Sequence, residues 1–134
     1  MIVPDAAVRD EGTSFHYWPP SREVACPDGM VEFLANALET RRLAHLVAKT
    51  WTTDAVYRET RSRVARRTAE GCVTVEMEAA ALFAVARLRS VRLGIILYGG
   101  DDVSGTDWNH RGWHGRKEIR KNLLELCLDI AATL

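Results

Sequence analysis

Carboxylates set two residues apart, Glu76 and Glu78, flank Met77 at what reads as the end of a short apolar strand, Cys72 to Met77. Period two along a strand puts both glutamates on one side and Met77 on the other. Glu78 is also well placed to open the following helix, where a negative charge favours the N-terminal dipole by ~0.3–1 kcal/mol. That accounts for Glu78 and leaves Glu76 without a structural reason. Two further acidic ends share the pattern: Thr52-Thr53-Asp54, and Gly99-Gly100-Asp101-Asp102. Carboxylates gathered at one edge can accept hydrogen bonds from sugar hydroxyls, hold a metal or act as general acids. Asp101 and Asp102 follow two glycines, which let the backbone turn sharply or let a ligand approach it closely. A polar turn with local Asx bonds is the competing reading for them.

Other constellations carry less. Arg111-Gly112-Trp113 between His110 and His114 does not read as a helical turn, and no Cys or Glu completes a ligand set with them, so no metal is expected. Arg61, Arg63, Arg66 and Arg67 read as a solvated helix face. Neither a glycine-rich phosphate loop nor a GxSxG elbow is present.

The elements that must position these groups read as βαβα. Residues 1–25 read as irregular, with Pro4, Pro19 and Pro20 and a short β-like stretch from Thr13 to Tyr17. Met30 to Arg42 spaces Val31, Leu34, Ala35 and Leu38 on one helix face. His45 to Thr53 is Val- and Thr-rich and reads as a strand, and Arg58 to Glu70 as a polar helix ended by Gly71. Cys72 to Met77 is a strand, and Glu78 to Leu88 a helix without a breaker. Arg92 to Tyr98 has the apolar run of a parallel strand covered on both faces. Asp101 to Gly115 is a loop, and Trp113 to Leu134 an amphipathic helix with Ile119, Leu123, Leu126, Cys127, Ile130 and Leu134 on one face. The order implies an α/β domain with right-handed crossovers, whose ligands bind at the carboxyl ends of the strands.

Bulk properties narrow the class. The chain has 134 residues, 18 basic against 18 acidic, and a hydrophobic fraction of 47%. One domain spanning residues 1–134 fits that length. Balanced charge argues against a nucleic-acid partner, and no apolar run is long enough to cross a membrane. Met1-Ile2-Val3-Pro4-Asp5 lacks the features of a signal peptide. Cys26, Cys72 and Cys127 are odd in number and far apart, as in a reduced, cytoplasmic protein.

Four ordered segments carry a family resemblance: Arg9-Asp10-Glu11-Gly12-Thr13-Ser14, Thr52-Thr53-Asp54-Ala55-Val56-Tyr57, Glu76-Met77-Glu78-Ala79-Ala80-Ala81-Leu82-Phe83 and Gly100-Asp101. Together they resemble the nucleoside phosphorylase superfamily of uridine phosphorylases, hexameric-type purine nucleoside phosphorylases and related nucleosidases. The resemblance implies a three-layer α/β sandwich with a mixed, mainly parallel sheet. It also implies phosphorolysis of a nucleoside's N-glycosidic bond, with phosphate as co-substrate and no cofactor. Met77 would pack against the ribose and Glu78 accept hydrogen bonds from its hydroxyls, with Glu76 assisting orientation. Val56 and Tyr57 would edge the base pocket. Asp101 would be the acid that protonates a departing purine, with Asp102 its competitor and Arg111 or Arg116 its partner. Gly100 stands where purine-cleaving members carry Ser.

The resemblance covers the carboxyl-terminal half of the family domain; the phosphate-binding loop and arginines belong to the other half. An oriented phosphate can be worth ~7–11 kcal/mol, so full activity is expected only with an amino-terminal-half chain or in a homo-oligomer. An open sheet edge would favour such association. The alternatives are a non-catalytic nucleoside-binding or interaction module, and a nucleosidase that uses water.

Overall fold

The computed structural model describes residues 1–134, which form two compact units, Met1–Leu97 and Tyr98–Leu134. The first is a four-stranded sheet in the order β2-β1-β3-β4, built from β1 (Ile2–Asp10), β2 (Glu23–Ala25), β3 (Leu46–Thr53) and β4 (Cys72–Glu76). β1 pairs parallel with β3, β3 parallel with β4, and β2 joins β1 antiparallel. The sheet is therefore mixed and mainly parallel, as expected.

Alternation along β1 makes the layers. Ala7 points to one face, where it packs with Met30 of α1 (Met30–Thr40) and with Ala80, Phe83 and Ala84 of α3 (Ala79–Arg89). Val8 points to the other, against Trp51 and Cys72, with Val64 of α2 (Arg61–Ala69) packed over them. Successive side chains leave a strand on opposite faces, so one strand serves two helical layers. This is the three-layer α/β arrangement.

Three elements differ from the reading of the sequence. Residues 1–25 are not irregular: β1 is an interior strand, and the Thr13–His16 segment is a 3-10 turn rather than β. Pro4 hid β1, because a proline inside an apolar run argues against an interior strand. Its position makes it tolerable. Both backbone groups of Ile2 bond Leu97, at 2.9 and 2.8 Å, so the same side of β1 two residues later is where Pro4 lacks its N–H. The β3 side of the ladder loses nothing, and a register shift comes between Pro4 and Ala7.

The same proline explains the second difference. Arg92 to Tyr98 is not a parallel strand; it makes only an isolated antiparallel bridge, Ile2 with Leu97. The next rung would need an N–H from Pro4, which has none. Leu93 and Ile95 still pack against the α1/α3 core.

Third, the Arg58–Glu70 helix begins only at Arg61, after a 3-10 turn at Val56–Arg58. Within it Arg67 is buried, not solvated. Its guanidinium bonds Asp10 at 2.7 Å and Glu70 at 2.9 Å.

The second unit holds a 3-10 turn, Trp113–Gly115, and α4 (Lys117–Ala131). α4 starts four residues later than the amphipathic pattern suggests. Of its apolar face Ile130 is buried, whereas Ile119 is exposed. No helix of the chain is long and apolar enough to cross a membrane.

Candidate functional site

Parallel pairing brings the carboxyl ends of three strands together. Asp10 of β1 is the register partner of Thr53 on β3, and Thr52 is the partner of Glu76 on β4. The acidic ends at Thr53-Asp54 and Glu76-Glu78 therefore share one edge of the sheet. The end of β1 joins them, which spacing along the sequence does not reveal.

Glu76 is the centre of this edge. On the α3 face of the sheet, Thr52 donates its hydroxyl proton to Glu76 Oε1 at 2.6 Å, and Thr50 lies 3.4 Å from the same oxygen. Oε2 accepts the backbone N–H groups of Glu78 and Ala79 at 2.7 and 2.6 Å. Those donors open α3, so the Glu76 carboxylate satisfies the orphan N–H groups that a helix start exposes. Thr52 Oγ1 in turn accepts the Ala80 N–H at 2.9 Å. A side chain from each of two strands thus ties down the first turn of α3. This is the structural reason for Glu76 that spacing alone did not supply.

Burial pushes the Glu76 carboxyl above its ordinary range, against the hydrogen bonds from Thr52, Ala79 and Glu78 that favour the charged form. The acid is thus committed to the protein rather than offered to solvent.

The clamp also redirects the chain beyond Glu76. The period-two expectation ends there, with the strand, because the carboxylate pulls the next N–H groups inward and turns the backbone. Met77 is 48% exposed and Glu78 is exposed at the resulting corner. The only hydrogen bond to the Glu78 carboxylate is the Met77 N–H, at 3.2 Å. Its remaining acceptor capacity is available to an incoming hydroxyl. After β3, Val56 and Tyr57 occupy the 3-10 turn, and Tyr57 is 95% exposed. Glu76, Met77, Glu78, Val56 and Tyr57 all belong to the first unit. Asp101 belongs to the second.

Around Asp101 the two aspartates separate. Asp102 Oδ1 accepts the backbone N–H and hydroxyl of Ser104 at 2.9 and 2.6 Å. Its Oδ2 pairs with Arg111 at 2.7 Å. The Ser104 bonds and, after them, the Arg111 charge hold the Asp102 carboxyl below its ordinary range. Asp101 is exposed, and its Oδ2 accepts the Trp108 indole N–H at 2.6 Å. Neither candidate arginine partners Asp101: Arg111 goes to Asp102, and Arg116 bonds the Arg111 carbonyl. His110 lies against Trp108 in a tilted ring contact, with centroids 3.9 Å and planes 37° apart, and His114 stacks on Trp113 at 4.0 Å. No group of three His, Cys, Asp or Glu residues is placed to hold a metal ion.

The turn after β1 is the other organised feature at this edge. Arg9 is buried; its guanidinium donates to Ser14 Oγ at 2.8 Å, the Pro19 carbonyl at 2.7 Å and Ser21 Oγ at 2.8 Å. It also lies 3.8 Å over the Phe15 ring. Glu11 accepts the Ser14 backbone N–H at 2.9 Å and the Ser14 hydroxyl. A buried Arg–Ser–Glu relay therefore folds residues 11–21, and Arg9 and Glu11 act as anchors.

These elements define an α/β protein with a clamped strand-to-helix corner at the carboxyl edge of a mainly parallel sheet. The chain belongs to the phosphorylase superfamily, whose family model matches residues 1–130. Among solved structures it is similar to the P. knowlesi homologue of P. falciparum PNP, at 20% identity and a TM-score of 0.69. That likeness covers 98% of this chain and 52% of the other. It is also similar to AMP nucleosidase from Bacteroides thetaiotaomicron VPI-5482, at 24% identity and a TM-score of 0.58, over 69% of this chain and 41% of that one. The chain thus spans about half the length of these structures, or less.

Proposed function

We propose that this chain carries the nucleoside-binding part of a nucleoside phosphorylase-type glycosyltransferase. It acts on a purine or pyrimidine nucleoside with phosphate as co-substrate and no further cofactor. It works with an amino-terminal-half chain or as a homo-oligomer, in the cytoplasm. The observation that carries the reading is the Glu76 clamp, which holds the Glu78 backbone N–H and leaves the Glu78 carboxylate exposed with acceptor capacity to spare. Membership of the superfamily supports it.

In this reading Glu78 accepts hydrogen bonds from the ribose hydroxyls, and Met77 packs against the sugar. Val56 and Tyr57 border the base. A phosphate oxygen bonds C1′ as the bond from C1′ to the base nitrogen breaks, and that electron pair leaves with the base. Asp101 gives the base a proton and is reprotonated from solvent. Bonds to the hydroxyls strengthen as the sugar becomes oxocarbenium-like, and the acid contributes ~10²–10⁴-fold.

The test is base release from inosine, adenosine and uridine, with and without phosphate, by the chain alone and mixed with an amino-terminal half from a relative. Phosphate-dependent release that disappears in Glu78→Ala is the expected result. Release indifferent to phosphate replaces the reading with a nucleosidase, the activity that names one of the structural relatives. Ribose-dependent binding by calorimetry with no release in any mixture replaces it with a nucleoside-binding module.

A further inference from the structure

We infer that Trp108 is a positioning residue: its indole N–H, in place of a guanidinium, orients Asp101 as the proton donor to a departing purine. The inference rests on the proposed function and narrows it to purine nucleosides.

The geometry of residues 101–111 separates the two neighbouring aspartates by role. Asp102 and Asn109 form an antiparallel bridge, with N–H to carbonyl distances of 2.8 and 3.0 Å in the two directions. That bridge closes the loop and brings Trp108 back toward Asp101. Asp102 already accepts three hydrogen bonds, from Ser104 and Arg111, so it locks the loop and is more fully engaged than Asp101. Asp101 accepts one hydrogen bond, from Trp108 to Oδ2 at 2.6 Å. With Oδ2 occupied by a donor, a proton on the carboxyl group resides on Oδ1 and is available to a base. A charged guanidinium would fork across both oxygens; an indole has a single N–H and leaves the second oxygen open. The His110 ring packs against the indole in a tilted contact, with centroids 3.9 Å apart, and supports it from the side.

The chemistry selects the base. A purine leaves through N9, its charge spreads over the imidazole ring, and N7 is the atom that a donor can reach. A purine already methylated at N7 departs as a neutral species and needs no acid. Comparison of inosine with 7-methylinosine therefore isolates the proton transfer.

The experiment uses the full chain, in whichever mixture releases base, as wild type, Trp108→Phe and Asp101→Asn. Phe keeps the ring and loses the N–H. Trp108→Phe is expected to lower kcat/KM for inosine roughly tenfold or more, mainly through kcat, and to change 7-methylinosine cleavage by less than about twofold. Asp101→Asn should show the same selectivity. Equal losses on both nucleosides in Trp108→Phe overturn the positioning role and leave the proposed function standing. No cleavage of either nucleoside by wild type, in any mixture, overturns the proposed function and this role with it. An independent readout is the indole N–H resonance of Trp108 in a nitrogen-edited spectrum, assigned by its loss in Trp108→Phe. It should move when Asp101 becomes Asn; an unmoved resonance refutes the contact whatever the activity.

Discussion

The Thr52 hydroxyl donates to the Glu76 carboxylate at 2.6 Å and accepts the Ala80 N–H at 2.9 Å, so one buried side chain joins two strands to a helix start. Thr52 is fully buried, and each of its partners is a group that costs free energy when left unpaired. Removing the hydroxyl while keeping the shape isolates that contribution. Thr52→Val is expected to lose about 2–4 kcal/mol, from two unpaired groups at ~1–3 kcal/mol each with partial relief by neighbours. Thr52→Ser should recover most of it. Urea unfolding of the two variants checks the pair; equal stabilities would show that the hydroxyl is dispensable.

The adjacent glutamates should separate function from stability. Glu76→Ala removes the acceptor for two helix-start N–H groups and for Thr52, and is expected to cost ~2–4 kcal/mol. Glu78→Ala removes an exposed side chain and should stay within ~0.5 kcal/mol of wild type in stability. Nucleoside binding, measured by calorimetry, should nonetheless vanish in Glu78→Ala. A stable Glu78→Ala that binds nucleoside as wild type does removes Glu78 from the sugar site.

The ion network at the end of β1 gives the fold a pH dependence. Hydrogen bonds from Arg22 and then Arg67 hold the Glu70 carboxyl below its ordinary range, partly offset by burial. A carboxyl lowered on folding stabilises the native state above its unfolded value, and the contribution is lost as pH falls through the folded value. Glu70→Gln should therefore cost ~0.5–1 kcal/mol at pH 7, a solvent-screened amount for a surface group. The difference from wild type should shrink progressively below about pH 5. Thermal melts of both proteins across pH 3–8 would show curves that converge in acid; a gap independent of pH would contradict the assignment.

The cysteines offer a chemical check on the layers. Burial pushes Cys26 and Cys72 each up to about 11, and raises Cys127 less. The thiolate is the nucleophile, so buried protonated thiols react slowly. Iodoacetamide at pH 8 should modify Cys127 first, with Cys26 and Cys72 labelled only on unfolding. Mass spectrometry of peptides from briefly labelled native protein reads this directly. Early labelling of Cys72 would mean that the face under α2 is open.

Much of the fold was legible because its signals are local. The apolar face of α1, the Val- and Thr-rich β3 and the unbroken α3 each need only neighbours a few positions away. β1 was not legible: Pro4 reads as a breaker, and only the pairing of Ile2 with Leu97 shows that the missing N–H falls on the side away from β3. Arg67 looked like one more solvated arginine, yet it is buried against Asp10, a residue far from it in sequence.

The sequence by itself determined the class of protein. Glu76-Met77-Glu78 and the three other ordered segments carry the resemblance that the family match bears out. Strand and helix propensities set most of the elements. Only the tertiary structure decided what each acidic residue is occupied with. It turned Glu76 inward onto Thr52 and the start of α3, left Glu78 exposed, and gave Arg111 to Asp102 and Trp108 to Asp101. The physical reason is that a carboxylate's role depends on which donors reach it. In this chain those donors come from another strand, a helix start or the far side of a loop, and their positions are fixed by pairing and packing rather than by spacing.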